Sequence, residues 1–219
     1  MTKELLAEIA DAQMVLVGIG KEMEETYKEM ENDSFYSSLM AQAEKEEDAA
    51  AILQYLQCYY REKNPDSGKI DAYNRLADLL EGKNYFVVSL CTDDYIYSSK
   101  LDAGRIVTPC GGFRALQCHS ECSTDQEPLV WDKQVTAQVM EEIRQCEGQL
   151  SKVDFPVCAE CCSIMYFNRI DNTWIIKEEG YLPQWEKIYE VASGNLKQKA
   201  LYIGAGRRYG ISYGNPFPF

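Results

Sequence analysis

AYNRLADLLEGKNYFVVSLCTDDYIYSSKLDAGRIVTPCGGFRALQC, residues 72–118, runs from helix to strand to turn to strand to cysteine, and that order decides the fold. Tyr73, Leu76, Ala77 and Leu80, with Ile70 just upstream, share one face at helical spacing, and Gly82 ends the run. YFVVSL (85–90) is apolar without alternation, the mark of a strand buried on both faces. RIVT (105–108) is a shorter strand of the same kind. Outward from this stretch the pattern repeats. MVLVGIG (14–20) is a buried strand running into a glycine turn, and ALYIGAG (200–206) is another. Residues 4–10 read as a short helix on Leu5, Leu6 and Ile9. Residues 36–62 read as one long helix whose face carries Ala49, Ile52, Leu53, Leu56 and Tyr59. Continuously apolar strands alternating with helices predict an α/β, Rossmann-like parallel sheet covered on both sides. Such sheets take ligands beyond the C-terminal ends of their strands. Those ends carry Gly18–Gly20, Cys91–Asp94, Pro109–Gly112 and Gly204–Gly206.

Between the third and fourth strands lie two cysteine pairs. Cys118 and Cys122 sit in LQCHSEC, and Cys158 and Cys161 sit in FPVCAEC. Zinc takes four thiolates in a tetrahedron at about 2.3 Å, and two short knuckles supply that geometry. The predicted domains are therefore 1–112 with 181–219 as the Rossmann-like part and 113–180 as a small zinc-ribbon insert, with a helix near 135–146. The competing reading is four free thiols in a reduced cytosolic protein. Cys162 adjoins the second knuckle as a spare or substitute ligand, and His119 lies inside the first.

The composition narrows the function classes. The chain has 219 residues, 46% of them hydrophobic and 26% charged, enough for one sizeable core plus an insert. A net charge of −13 repels nucleic-acid backbones. No apolar run reaches the roughly 18 residues of a membrane span. MTKELLAEIADAQ is too acidic for a signal peptide, and nine cysteines without one point to a reducing, cytoplasmic setting. Neither nucleic acid nor membrane is an expected partner.

The order of parts resembles the sirtuin family, a nucleotide-binding parallel sheet carrying an inserted zinc module. The resemblance is carried by 72–118, by CAECCSIMYFNRIDNTW (158–174) against the family's C-x-x-C-G-G-x-M-x-x-N, and by LYIGAGRRYGISYGNPF (201–217) against its L-x-x-G-x-G turn and downstream Pro-Phe. The C-x3-C knuckle and the N-T-W segment are similar to the bacterial macrodomain-linked sirtuins, which act as ADP-ribosyltransferases. The resemblance implies NAD or ADP-ribose as ligand and Gly18, Gly20, Thr92, Asp94, Gly204, Gly206 and Arg207 around it. It also implies departures. The family's G-A-G-x-S motif and following arginine loop are replaced by GIGKEMEETYKEM (18–30). T-N-x-D becomes Cys91-Thr92-Asp93-Asp94, and the catalytic histidine, or the glutamine of the macrodomain-linked branch, aligns with Cys110. The part that completes the adenine pocket in sirtuins would lie beyond Phe219.

Each candidate has two readings. Gly18 and Gly20 cradle a phosphate or only permit a tight turn, and Glu22, Glu24 and Glu25 beyond them repel phosphate. Arg207 and Arg208 make an anion site after Gly204 and Gly206 or are solvated. Asp93 and Asp94 do acid-base work, Asp94 the better candidate, or form a turn. Cys110 is a nucleophile or a small filler at a vacated catalytic position. The expectation is a sirtuin-like pseudoenzyme with weak nucleotide binding. The alternatives are an active NAD-dependent ADP-ribosyltransferase or deacylase using Asp94 and Cys110, and a protein-interaction module.

Overall fold

The computed structural model describes residues 3–118, 129–170, 180–192 and 198–203. The elements in chain order are α1 (Lys3–Asp11), β1 (Met14–Ile19), α2 (Lys28–Asn32), α3 (Ser34–Ala43), α4 (Ala49–Lys63), α5 (Ser67–Leu79), β2 (Asn84–Ser89), β3 (Ile106–Val107), β4 (Gly111–Gln117), α6 (Lys133–Gln145), β5 (Tyr166–Arg169), α7 (Leu182–Ala192) and β6 (Gln198–Ile203). Among the described residues no helix is long and apolar enough to cross a membrane.

The chain divides into two compact units. The first takes Met1–Glu24, Ser67–Gly111 and Glu178–Phe219. Its sheet has the order β3-β2-β1-β6, and all three pairings are parallel. Central β1 is registered with Met14 opposite Asn84 on one side and Gln198 on the other. Val15 and Val17 are fully buried on one face and Met14 is buried on the other, which is why the strand needs apolar residues on both. Val15 and Val17 pack with Ile9 of α1 and with Tyr73 and Leu76 of α5. Met14, Phe86 and Val107 pack with Ile188 of α7. Each such side chain contributes about 1.5–3 kcal/mol of burial. The α/β reading and the four sheet strands of the sequence analysis are all present, the third trimmed to two residues.

The second unit takes Glu25–Asp66 and Gly112–Lys177. Its core joins Tyr36, Leu39, Tyr55 and Leu56 to Phe113, Leu116, Ile143 and Phe167. Here the structure corrects the expected boundary. Residues 25–66 share a core with the cysteine module, although the sequence analysis assigned them to the Rossmann-like part. The reason lies on α4. The Gln54 side-chain carbonyl accepts the Phe167 N–H at 2.9 Å, and the Tyr55 hydroxyl donates to the Met165 carbonyl at 2.8 Å. These bonds bind α4 to β5 through polar atoms that a hydrophobic period does not register. The two-stranded sheet β4-β5 sits against this helix.

A second correction concerns 36–62, which is not one helix. It breaks over 44–48, where Glu44, Glu46, Glu47 and Asp48 crowd like charges. Asp48 precedes α4, and its carboxylate accepts the Ile164 N–H at 3.2 Å. Asp33 caps α3 by accepting from the Phe35 and Tyr36 N–H groups, and Asp132 caps α6 by accepting from Gln134.

Candidate functional site

In the first unit the strand ends come together as the parallel sheet requires. Gly18 lies inside β1, paired with Val88 and Tyr202. Gly20 follows with φ −84 and leads into a three-residue 3-10 turn, Lys21–Met23, rather than an α-helix. A row of open helix N–H groups, which would hold a phosphate, is therefore not formed there. The next residue, Glu24, reaches across to the loop after β2. One of its oxygens accepts the Thr92 N–H at 2.7 Å and the other accepts the Thr92 hydroxyl at 3.1 Å. The Leu90 N–H donates to the Ile19 carbonyl at 2.9 Å, and the Cys91 thiol points at the Gly20 carbonyl at 3.4 Å. The two loops are thus fastened to each other by the chain's own atoms.

The rest of the loop is buried and charged. Thr92, Asp93 and Asp94 are all buried. Asp93 accepts the Tyr95 N–H at 3.1 Å and is ion-paired with Lys69 of α5. The Lys69 ammonium also lies 5.5 Å from the Tyr95 ring centre. Asp94 adopts a left-handed conformation, φ 58, which its short polar side chain tolerates. Carboxylates outnumber the ammonium, and the thiols respond. Burial, reinforced by Asp93 and Glu24, pushes Cys91 up to about 11. Burial also raises Cys110, with Lys21 pulling down and Glu24 pushing up. Tyr73 is raised by burial and by Cys91, Asp93 and Glu24. Cys91 and Cys110 are therefore neutral thiols near pH 7, poor nucleophiles and poor bases.

Of the cleft residues read from sequence, Gly20, Thr92, Asp94 and Cys110 belong to this unit's described strand ends. Gly204, Gly206, Arg207 and Arg208 lie outside the described residues. Sequence reasoning missed two residues that organise the site. Glu24 was read only as a repelling charge. Lys69 was passed over, although Lys69, Tyr73, Leu76 and Leu80 continue one helical stripe at spacings of four, three and four. A lysine on an apolar stripe signals a buried partner.

In the second unit, Cys118 directly follows β4 and Cys158 begins a tight turn closed by the Val157–Ile164 antiparallel bridge. The Cys158 N–H donates to the Ser163 carbonyl and the Cys162 N–H to the Cys158 carbonyl, both at 2.9 Å. The thiols of Cys118, Cys158 and Cys161 lie within 4.8 Å of one another, with Cys118 and Cys161 3.6 Å apart. Two sulfurs on a tetrahedral ion bound at about 2.3 Å would be about 3.8 Å apart. This donor set can hold a metal ion. Cys122 and His119 lie outside the described residues. Cys162 is exposed at φ 59 and is not one of the three converging thiols.

The chain is similar in structure to sirtuins. One, solved in a study of sirtuin substrate affinity, is 14% identical with a TM-score of 0.49 over 94% of this chain and 76% of its own. Sir2 with a p53 peptide and NAD+ is 15% identical with a TM-score of 0.47 over 94% and 76%. A Sir2 homologue in complex with NAD is 14% identical with a TM-score of 0.47 over 95% and 75%. No family profile and no curated protein matches the chain.

Proposed function

We propose that the chain is a sirtuin-like protein without NAD-dependent turnover, retaining the parallel sheet and a zinc-holding cysteine module. One observation carries the reading. Both oxygens of Glu24 are engaged by Thr92 at the strand ends, where an open α/β sheet takes its ligand. A fixed carboxylate stands there, and the donors that Thr92 offers are taken. Those residues do not fit an NAD pyrophosphate. Binding of NAD or ADP-ribose at these strand ends is weak or nil.

Cys110, at the position that resembles the sirtuin histidine, is held as a thiol and cannot serve as a general base at neutral pH. This counts against the active reading built on Asp94 and Cys110. Loss of one catalytic group commonly costs orders of magnitude in rate, and here two positions have changed together. Cys118, Cys158 and Cys161 would hold the zinc with Cys122 as fourth ligand, and its role is to fasten the module.

Calorimetry with NAD and ADP-ribose tests the binding half. Nicotinamide release from NAD in the presence of an acyl-lysine peptide tests the catalytic half. The expected results are weak or absent heat and no peptide-stimulated release. Release at a turnover rate of about 0.1 per second or faster, toward the enzymic range, would overturn the proposal.

A further inference from the structure

A groove lies wholly within the second unit, between the C-terminal end of α4, β4 and the first turns of α6. It encloses about 580 Å³, within the range of small-molecule sites. We propose that this groove binds a flat aromatic ring carrying a phosphate, a ligand of mononucleotide size.

The charge argues for an anion. Lys63 from α4, Arg114 from β4 and Lys133 from α6 line it from three separate elements. Two carboxylates, Glu62 and Glu141, line it as well. Glu141 is already held by Arg144, whose Nε donates to it at 2.7 Å. Arg61 and Arg169 do not line the groove but lie 5.5 Å and 4.6 Å from the ring centre of Phe113, which does. The chain as a whole has 22 basic against 35 acidic residues, so a convergence of this sign runs against its background. That background also limits the ligand. A long polyanion would meet more of the chain's net negative charge than a single phosphate would.

The aromatic lining argues for a ring. Trp131 is 45% exposed, among the most exposed large hydrophobic residues described. The Arg114 guanidinium lies 5.6 Å from its ring centre. With the guanidinium over one face of the indole, the opposite face is the stacking surface for a base and the cation the charge for its phosphate. Buried Phe113 and Met140 provide an apolar floor. Glu62 and Thr136 supply polar groups at the wall for the ring's own donors and acceptors.

The test titrates AMP, adenosine and inorganic phosphate separately, by calorimetry and tryptophan fluorescence. AMP should saturate below about 1 mM, with adenosine and phosphate each weaker by about tenfold or more, because ring and charge both contribute. Arg114→Ala and Trp131→Ala should each weaken AMP by about tenfold. Both positions are exposed, and circular dichroism checks that each variant is folded. Lys133→Ala serves as a second charge variant should Arg114→Ala fail to fold, and Trp131→Leu as a second ring variant. Three results would each overturn the proposal. They are no saturation by AMP at several times that concentration, equal binding by adenosine or phosphate alone, and AMP affinity indifferent to the folded groove variants.

Discussion

Lys69→Met isolates the buried ion pair that ties α5 to the loop after β2. Lys69 and Asp93 have only 7% and 1% of their side chains exposed. Methionine keeps an unbranched, helix-compatible stem and removes only the charge. Asp93 would retain the Tyr95 N–H but lose its cation, in a loop that already carries Asp94 and the Glu24 carboxylate. Removing one partner of a buried pair costs about 3–5 kcal/mol, because the other charge is left in low dielectric. For a chain of this size each kcal/mol lowers Tm by about 2–4 °C, so the fall should be roughly 6–20 °C. Urea unfolding followed by circular dichroism reads the same loss directly. The double variant Lys69→Met/Asp93→Asn should recover most of it. The amide still accepts the Tyr95 N–H and no unpaired charge remains. A loss below about 1 kcal/mol in the single variant, the worth of an exposed pair, would refute the argument. So would a double variant no more stable than the single.

Three further outcomes follow from other parts of the chain. Purified protein should carry near-equimolar zinc, and Cys158→Ser should lower both metal content and thermal stability, since binding free energy is folding free energy in such modules; metal-free but fully stable wild type would contradict this. Burial raises Cys110, so its thiolate fraction at neutral pH is below that of a free cysteine. Its alkylation, followed by peptide mapping, should be slow at pH 7 and reach half of its plateau rate only above about pH 8.5, the midpoint for free cysteine. Gly82 follows α5 at φ 70, and nothing lies within 4 Å of an added Cβ. Gly82→Ala should therefore cost about 1–2 kcal/mol from backbone conformation alone, and an unchanged urea midpoint would show that the turn relaxes.

The sheet was legible because burial on both faces leaves a strong mark. MVLVGI and YFVVS need no partner information to be recognised as buried strands. Other elements left weaker marks. GGFRALQ of β4 mixes two glycines and an arginine, although six of its seven residues are buried. YFNR of β5 is too short to show a period. Asp48, at the break between α3 and α4, meets Ile164, and Gln54 and Tyr55, which join α4 to the second unit, meet Phe167 and Met165. These contacts span more than a hundred residues. A hydrophobic pattern reports which face of a helix is buried, not which distant segment buries it. The cysteine spacing was legible for the opposite reason. Three of its four members are brought together, and their residue type and spacing already specify the geometry.

The strand-end site was half legible, and the missing half was electrostatic. The glutamates beyond the glycine turn read as charges that repel a phosphate, and Glu22 is exposed. Glu24 instead turns inward to Thr92, and Asp93 turns inward to Lys69. Where an anionic ligand would neutralise donors and a cation, the chain's own carboxylates do so. Burial holds the neighbouring thiols protonated, and Glu24 adds to it at both. Each bond that steadies this loop also occupies a group that a phosphate would need. Stability and anion binding are therefore opposed at Thr92, where an anion would have to displace Glu24 from both of its bonds to reach the same donors.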